Sequence, residues 1–236
     1  VEVIDNEGNT LKAENVTYDK INEMVKSYGN SQLNLEGGYE LNSSTILYDT
    51  VKKIISTEKK SILNDIDGNQ IETSMFQYFI SKNLFSSIGK IKIIDINKNK
   101  YFFKELHIDT KRHEIIGSDA SVLLDPESFG VSEESEPRFV ANDIFVSKNK
   151  TNLSKGIFTT CKRKGEKCPA WSLQAKKISH DKIKKTIFYD HAVLKVYNVP
   201  IFYFPKFFHP DPTVKRQSGF LSPFFTNTTS AGFGVG

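Results

Sequence analysis

Histidine and aspartate lie close together at several places in the chain, and this combination is a common source of general acid-base catalysis. His180 directly precedes Asp181, and His209 stands two residues before Asp211. The prolines around His209 favour a rigid, extended segment over an active site. His180 and Asp181 occupy a recurring Tyr-Asp position of an internal repeat, so we interpret them as structural.

Catalytic motifs with a defined spacing are absent from the sequence. It contains no Gly-x-Ser-x-Gly elbow, no phosphate-binding glycine loop and no His-Glu-x-x-His motif. We therefore predict that the protein is not an enzyme and has no catalytic residues, no cofactor and no metal site. A hydrolase that uses His209 and Asp211 is kept as an alternative, and it requires both side chains to point into one pocket.

The two cysteines, Cys161 and Cys168, flank a short basic loop that contains Gly165. A loop of this length lets the two arms of a hairpin approach each other, so a local disulfide is plausible and would contribute about 2.5 kcal/mol. Two free thiols are the alternative. Zinc is disfavoured because neither a second cysteine pair nor a nearby histidine completes four ligands.

Composition excludes two broad classes of protein. The 236 residues carry a formal net charge of +4, and 38% of them are hydrophobic and 25% charged. No run of about 18 apolar residues offers a membrane-spanning helix. No basic stripe interleaved with stacking aromatics appears, so we predict no nucleic-acid partner.

A repeat of thirty residues organises the chain. The turn glycines Gly8, Gly38 and Gly68 are each followed ten residues later by a tyrosine. Two columns of the repeat are apolar in all six copies. The columns contain Val16, Ile46, Phe76, Leu106, Ile144 and Ile178, and Val25, Ile55, Phe85, Ile115, Leu153 and Ile187.

Apolar residues alternate with period two inside each unit, and the phase slips once between Ala13 and Val16. A slip of one residue exchanges the two faces of a strand, so it indicates a bulge or corner. Each unit is interpreted as strand, bend, strand, turn and strand. The sequence predicts an all-β protein, a β-jelly-roll built of about six hairpin repeats of roughly 30 residues.

The inner faces of such a stack either interdigitate into a solid core or splay apart into an apolar groove. The candidate groove walls are the repeat columns that begin at positions 11, 16, 18 and 25. The candidate groove residues are Val16, Tyr18, Val25, Ile46, Tyr48, Ile55, Phe76, Tyr78, Phe85, Leu106, Ile108, Ile115, Ile144 and Ile178. A stack of hairpins also leaves an unpaired strand edge, which pairs with another chain unless it is blocked or covered. The N-terminal repeat is the candidate docking edge.

The C-terminal part changes in character. Residues 201–225 contain four prolines and seven phenylalanines. We expect a rigid junction formed by Pro200, Pro205, His209, Pro210, Asp211 and Pro212. After Ser218, Ala231, Phe233 and Val235 alternate with small residues, which is typical of an outer-membrane β-strand. The predicted domains are a jelly-roll at 1–199, a junction at 200–215 and the first strand or strands of a β-barrel at 216–236.

The run from Asn198 to Pro223 closely resembles the junction between periplasmic domain and barrel in the LptD family of lipopolysaccharide-assembly proteins. The segments Phe158-Thr-Thr-Cys and Trp171-Ser-Leu-Gln-Ala-Lys-Lys-Ile resemble the last repeat of that family's N-terminal domain. The thirty-residue units are similar to the wider family of lipopolysaccharide-transport jelly-rolls, which includes LptA and LptC.

The resemblance implies a conduit at the periplasmic face of the outer membrane. Its groove would shield the acyl chains of lipopolysaccharide, receive them from an LptA-like jelly-roll at the N-terminal edge and pass them to the barrel, where an LptE-like lipoprotein sits. The family commonly joins its N-terminal domain to the barrel through disulfides, whereas both cysteines here lie in one loop. The alternatives are a soluble periplasmic adaptor of the LptA type and a structural β-repeat protein with a filled core.

Overall fold

The computed structural model describes residues 1–5, 8–35, 37–127, 131–163, 169–210 and 214, and the backbone of 225–228 and 232–235. Eleven short strands come first: β1 Glu2–Ile4, β2 Thr10–Lys12, β3 Asn15–Asp19, β4 Met24–Tyr28, β5 Ser31–Leu35, β6 Tyr39–Ser43, β7 Leu47–Asp49, β8 Ile54–Thr57, β9 Ser61–Asn64, β10 Gln70–Thr73 and β11 Phe76–Phe79. A 3₁₀ helix, Ile80–Lys82, follows them. No helix in the described ranges is long and apolar enough to cross a membrane.

Eight long strands complete the main sheet: β12 Leu84–Ile94, β13 Lys100–Asp109, β14 Glu114–Leu123, β15 Arg138–Val146, β16 Lys150–Thr159, β17 Trp171–Asp181, β18 Thr186–Val196 and β19 Val199–Pro210. A separate hairpin contains β20 Phe225–Thr228 and β21 Gly232–Val235. The prediction of an all-β fold of stacked hairpins is confirmed. The side chains of 225–228 and 232–235 lie outside the described residues, so a barrel at 216–236 stays a prediction.

The short strands divide between two antiparallel layers, which we call the first wing and the second wing. The first wing pairs β1, β2, β5, β6, β9 and β10 in that order, and the second pairs β3, β4, β7, β8 and β11. A complete repeat such as 10–35 therefore contributes two strands to each wing, whereas three strands per unit were expected.

The wings are joined by β12 and the strands after it. Residues 84–86 of β12 pair with β11 in the second wing, and residues 92–94 pair with β10 in the first. Each later strand crosses both wings and bends between them along a line that we call the spine. The even-numbered strands bend at residues with positive φ, which are Gly89, Asp119, Lys155 and His191. A left-handed residue inserted in a strand breaks the alternation and lets the sheet fold over.

Buried hydroxyl groups line the spine in the first three repeats, where the strands stop at each corner. The hydroxyl of Thr57 donates to the carbonyl oxygen of Thr45 at 2.6 Å, and the hydroxyl of Ser87 donates to that of Met75 at 2.7 Å. The backbone N–H of Ile46 donates to Oγ of Ser27 at 3.0 Å. These side chains satisfy backbone groups that the interrupted ladders leave unpaired.

The proline-rich segment differs from its predicted form. Residues 199–210 form β19, a strand that pairs with β18 along most of its length, and not a rigid corner. Pro205 lies at the spine, opposite the left-handed His191, where the pairing skips a residue. A proline is tolerated there because no ladder hydrogen bond is required. The sheet therefore continues to Pro210, past the expected boundary at 199.

Candidate functional site

The inner face of the first wing carries one continuous row of apolar side chains, because each residue lies opposite the next across the ladders. The row contains Val3, Leu11, Leu33, Leu41, Leu63, Ile71, Ile93, Tyr101, Val122, Phe139, Phe158, Leu173, Leu194 and Phe202. Successive side chains of a strand point to opposite faces of the sheet, so this alignment holds only if every strand keeps its register.

The second wing carries a matching row. It contains Tyr18, Val25, Tyr48, Ile55, Tyr78, Phe85, Ile108, Ile115, Val146, Thr151, His180, Ile187 and His209. The turn at 146–151 is shorter than its counterparts, so Leu153 lies opposite Ile144 and Thr151 takes its place in the row. The two rows face each other and enclose the interior of the molecule.

The interior has three sections along the rows. A small cavity of about 20 Å³ lies at the N-terminal end, between Leu11 and Leu33 of one wing and Val25 of the other. A packed section follows. Its row members are at most 1% exposed, and they are Leu41, Leu63, Ile71, Tyr78, Phe85 and Ile108. A large cavity of about 520 Å³ occupies the C-terminal part.

The large cavity is apolar inside and polar at its two rims. Its apolar lining consists of Ile93, Tyr101, Phe103, Ile115, Val122, Leu124, Phe139, Ile144, Val146, Leu153, Ile178 and Ile187. Asn69, Asp95, Asn97 and Asn99 border it at the turns of the first wing, and Thr151, His180 and Lys182 border it at those of the second. Such a cavity suits a ligand with a long apolar part and a polar end.

The predicted groove residues fall into all three sections and the N-terminal edge. Val25, Ile46, Tyr48 and Ile55 line the small cavity, and Ile115, Ile144 and Ile178 line the large one. Phe76, Tyr78, Phe85, Leu106 and Ile108 are buried in the packed section. Val16 and Tyr18 lie on the edge strand β3, where Tyr18 is exposed.

Sequence reasoning proposed the repeat column that begins at Leu11 as a groove wall but named none of its members as lining residues, and it left out the column that begins at Val3. Leu11, Leu41, Ile71 and Tyr101 recur at the thirty-residue spacing, and so do Val3, Leu33, Leu63 and Ile93. The lining residues that it named individually lie in the second wing or, like Phe76 and Leu106, nearer the spine. Both wings contribute to the cavity, so a single set of columns describes half of it.

Aspartates shape the turns at the rim of the second wing. The carboxylate of Asp181 accepts the backbone N–H groups of Lys184 at 2.9 Å and Ile183 at 3.1 Å. The bond from the Lys184 N–H holds the pKa of Asp181 below its ordinary value. Asp49 makes an equivalent turn, in which the backbone N–H of Lys52 lowers its pKa. At Asp19 the main cause of the lowered pKa is the hydrogen bond from the side-chain amide of Asn22. Asp181 is thus a turn residue, as the repeat predicted.

The rims meet over the packed section. The hydroxyl of Tyr39, in the first wing, lies 3.1 Å from Nδ1 of His113 at the rim of the second, and the rings stack with their centroids 5.9 Å apart. Burial raises the pKa of Tyr39. A Cβ at Gly37 would lie 2.9 Å from the carbonyl oxygen of Thr110, so the backbones are also in close approach here.

His209 is held in the sheet by two hydrogen bonds. Its Nδ1 lies 2.7 Å from the carbonyl oxygen of Pro210, and its Nε2 lies 2.9 Å from the hydroxyl of Tyr189. A carbonyl only accepts, so Nδ1 donates and in the neutral ring Nε2 accepts from Tyr189. Burial raises the pKa of Tyr189. Asp211, the proposed catalytic partner, lies outside the described residues, as does Pro212.

Cys161 is half-buried, with its Sγ 3.8 Å from the carbonyl oxygen of Trp171. Cys168 lies outside the described residues, so the pairing of the two cysteines stays a prediction. Within the described ranges, no group of three or more histidine, cysteine, aspartate and glutamate side chains is placed to hold a metal ion.

Comparison with known proteins identifies relatives over part of the chain. It is 36% identical over 93 residues to the LPS-assembly protein LptD of Polaromonas sp., which covers 39% of this chain and 11% of that protein. It is 32% identical over 102 residues to LptD of Alcanivorax borkumensis, covering 43% and 13%, and 29% identical over 149 residues to LptD of Idiomarina loihiensis, covering 54% and 19%. No family model matches the chain.

A solved structure also resembles the chain. It is LptH of Pseudomonas aeruginosa, described as the LptA homologous periplasmic component of a lipopolysaccharide transport device. The TM-score is 0.41 at 18% identity, and the alignment covers 48% of this chain and 82% of LptH. The chain spans between 11% and 19% of the length of the curated relatives. The sequence matches confirm the resemblance to LptD that the repeats and the proline-aromatic segment predicted.

Proposed function

We propose that this chain carries lipopolysaccharide, holding the acyl chains of the lipid between its two wings. The observation that carries the proposal is the large cavity of about 520 Å³, whose inside is apolar while both rims are polar. The relatives support it, since each of the four is an LPS-assembly protein. The chain then acts as a binding protein, without a catalytic residue, a metal or a cofactor.

The energy of acyl-chain burial explains why such a cavity is needed. Each methylene removed from water contributes about 0.8 kcal/mol, so a chain of about twelve methylenes contributes on the order of 10 kcal/mol. A lipid with several such chains cannot cross water at a useful rate. The row on the first wing extends the apolar lining from Val3 to Phe202, and the row on the second wing faces it with Val, Ile, Phe and Tyr side chains as far as Val146.

The N-terminal edge is the proposed docking site for an LptA-like jelly-roll. Among the described strands, β1 pairs only with β2, and β3 pairs only with β4, so both wings end there in an open edge. Neither strand contains proline, and each has an exposed apolar or aromatic residue, Ile4 in β1 and Tyr18 in β3. A partner strand added at each edge would continue both rows into the next molecule.

The C-terminal end is the proposed exit toward the outer membrane. The rows end at Phe202 and His209 in β19, which pairs only with β18 among the described strands. Several aromatic side chains of β19 are exposed, including Phe202, Tyr203 and Phe208. On this proposal the lipid leaves here for a barrel that begins within 216–236 and holds an LptE-like lipoprotein, at the periplasmic face of the outer membrane.

Photo-crosslinking tests the proposal directly. A photoreactive amino acid at Ile144, which lines the large cavity, is expected to capture lipopolysaccharide, since it faces the bound chains. The matched control is Val140 in the same strand, which is 47% exposed on the outer face. Capture at Ile144 and not at Val140 supports the carrier, and equal or absent capture at both positions contradicts it.

A second experiment tests the hydrolase alternative. We expect His209→Gln to leave lipid capture at Ile144 within about twofold of the wild type, because the hydrogen bonds of His209 to Tyr189 and Pro210 lie at the end of the row and outside the lining of the large cavity. Hydrolysis of an ester substrate by the wild-type chain that disappears in His209→Gln would instead assign catalysis to this residue.

A further inference from the structure

We propose that Tyr39 and His113 determine how far a lipid can travel along the interior, because their contact closes the groove between the small and the large cavity. The inference rests on the proposed carrier function. It concerns the packed section, which lies between the two cavities and whose row members are at most 1% exposed.

The contact between Tyr39 and His113 lies at the rim of the packed section. Tyr39 begins β6, two residues before Leu41, so it lies at the rim end of the packed section in the first wing. His113 lies in the turn after Ile108, at the rim end of the packed section in the second wing. The contact thus bridges the mouth of the groove over the one section whose row members are fully buried.

Several contacts hold the two wings together at this point. Tyr39 is 4% exposed, its ring stacks on the imidazole of His113, and its hydroxyl lies 3.1 Å from Nδ1. The backbone contact between Gly37 and Thr110 closes the mouth beside it. Thr110 is itself 1% exposed, and its backbone N–H donates to the carbonyl oxygen of Asn83 at 2.9 Å. The rim of the second wing is therefore anchored where the first wing touches it.

An acyl chain needs open space between the wings in order to pass along the interior. The small cavity of about 20 Å³ holds no more than about one water molecule. A chain in the large cavity cannot reach the N-terminal end, or arrive from it, unless the wings separate over the packed section. Separation must break the contact of Tyr39 with His113, because these two side chains hydrogen-bond across the mouth there.

A tyrosine–histidine pair elsewhere supplies a matched control. Tyr189 and His209 have the same chemistry, with a hydroxyl-to-Nε2 distance of 2.9 Å and stacked rings 5.4 Å apart. They lie on the adjacent strands β18 and β19 and therefore on the same wing. Breaking this pair removes a similar hydrogen bond without releasing the mouth.

The test uses photoreactive amino acids at Val25, in the small cavity, and at Ile144, in the large one, with lipopolysaccharide as the probe. In the full chain, Tyr39→Phe and Tyr39→Ala are expected to raise capture at Val25 by about threefold and about tenfold, since they remove the hydrogen bond and then the ring. Tyr189→Phe is expected to leave capture at Val25 unchanged. Capture at Ile144 reports that each variant is folded.

A tether closes the mouth again. Tyr39→Cys with His113→Cys, in a chain that carries Cys161→Ser and Cys168→Ser, opens the contact, and a short cleavable bismaleimide between the new thiols restores it. We expect high capture at Val25 before tethering, background capture after it and recovery on cleavage. Capture at Val25 that ignores both the tether and the Tyr39 variants overturns the inference. Absence of capture at Ile144 in the wild type instead overturns the carrier function itself.

Discussion

The first three repeats and the later ones build the same pair of rows with different corners. In the early repeats the strands stop at the spine, and hydroxyl groups such as those of Thr57 and Ser87 satisfy the backbone there. In the later repeats the strands run through the spine, and the buried positions beside it hold small residues such as Ala120, Ala141 and Ala192. The early corners are fixed by specific hydrogen bonds, and the later ones by continuous ladders.

The difference corresponds to the shape of the interior. The early, hydroxyl-lined region leads into the packed section, whereas the large cavity lies between the long strands. Gly117 permits the ring of Phe103 to lie against the strand, since a Cβ there would come within 2.5 Å of it. Similar apolar patterns therefore accompany a filled interior next to the interrupted strands and an open interior between the continuous ones.

Leucine truncation gives the largest expected contrast between the regions. Leu106→Ala, in the packed section, is expected to lower the free energy of unfolding by about 3–5 kcal/mol, because neighbouring side chains surround the void that remains. Leu153→Ala, on the wall of the large cavity, is expected to cost about 2–3 kcal/mol, since part of its surface already faces open space. Urea unfolding measures both values, and equal losses would break the distinction.

Removal of a corner hydroxyl has an intermediate effect. Thr57→Val removes the 2.6 Å hydrogen bond to the carbonyl oxygen of Thr45 and leaves it the longer bond from the hydroxyl of Ser43 at 3.3 Å, so we expect a loss of about 1–3 kcal/mol. Thr17→Val is the control, because the hydroxyl of Thr17 makes a longer, exposed bond of 3.4 Å, and its change should stay within about 0.5 kcal/mol. If both variants unfold at the same urea concentration, the hydroxyl corners do not stabilise the early repeats.

The turn aspartates should show the smallest effect, and one that is common to both regions. Backbone hydrogen bonds lower the pKa of Asp49 in an early repeat and of Asp181 in a late one below the ordinary value of 3.8 for an aspartate. Their stabilisation is therefore present above that pH and is lost as the pH falls through the folded-state pKa. Asp49→Asn and Asp181→Asn keep the turn bonds but should each weaken the acid dependence of stability. Urea unfolding midpoints measured from neutral pH downward test this. An effect in only one of the two variants would show that the turns of the early and late repeats differ in their contribution to stability.

Much of the fold could be predicted because the thirty-residue period is exact in the first four copies. Positions such as Ile46 and Phe76 must repeat their burial once each unit packs only on its neighbours. The slip after Ala13 correctly indicated a corner. The second bend was missed, since it falls on Gly89 in one unit but on Asp119 and Lys155 in others, and these two residue types do not indicate a left-handed backbone by themselves.

The candidate site was less accessible to sequence reasoning. Periodicity indicates which residues face inward, but the gap between the wings depends on packing across them, as at Tyr39 and His113, which are 74 positions apart. The prolines of β19 also concealed a strand, because Pro205 falls at the bend where its missing N–H is not needed. Residues that face inward alike therefore differ in whether they touch a cavity or a neighbouring side chain.

The inner row crosses the turns after β5 and β9 with the same number of residues, so the length of the stack can change by whole repeats. Leu33 faces Leu41 across one turn, and Leu63 faces Ile71 across the equivalent turn thirty residues later. Excision of residues 38–67 would place Leu33 opposite Ile71 and keep every remaining side chain on its own face. Nature or an engineer could thus shorten or extend the molecule to bridge gaps of different width, without redesigning either terminus.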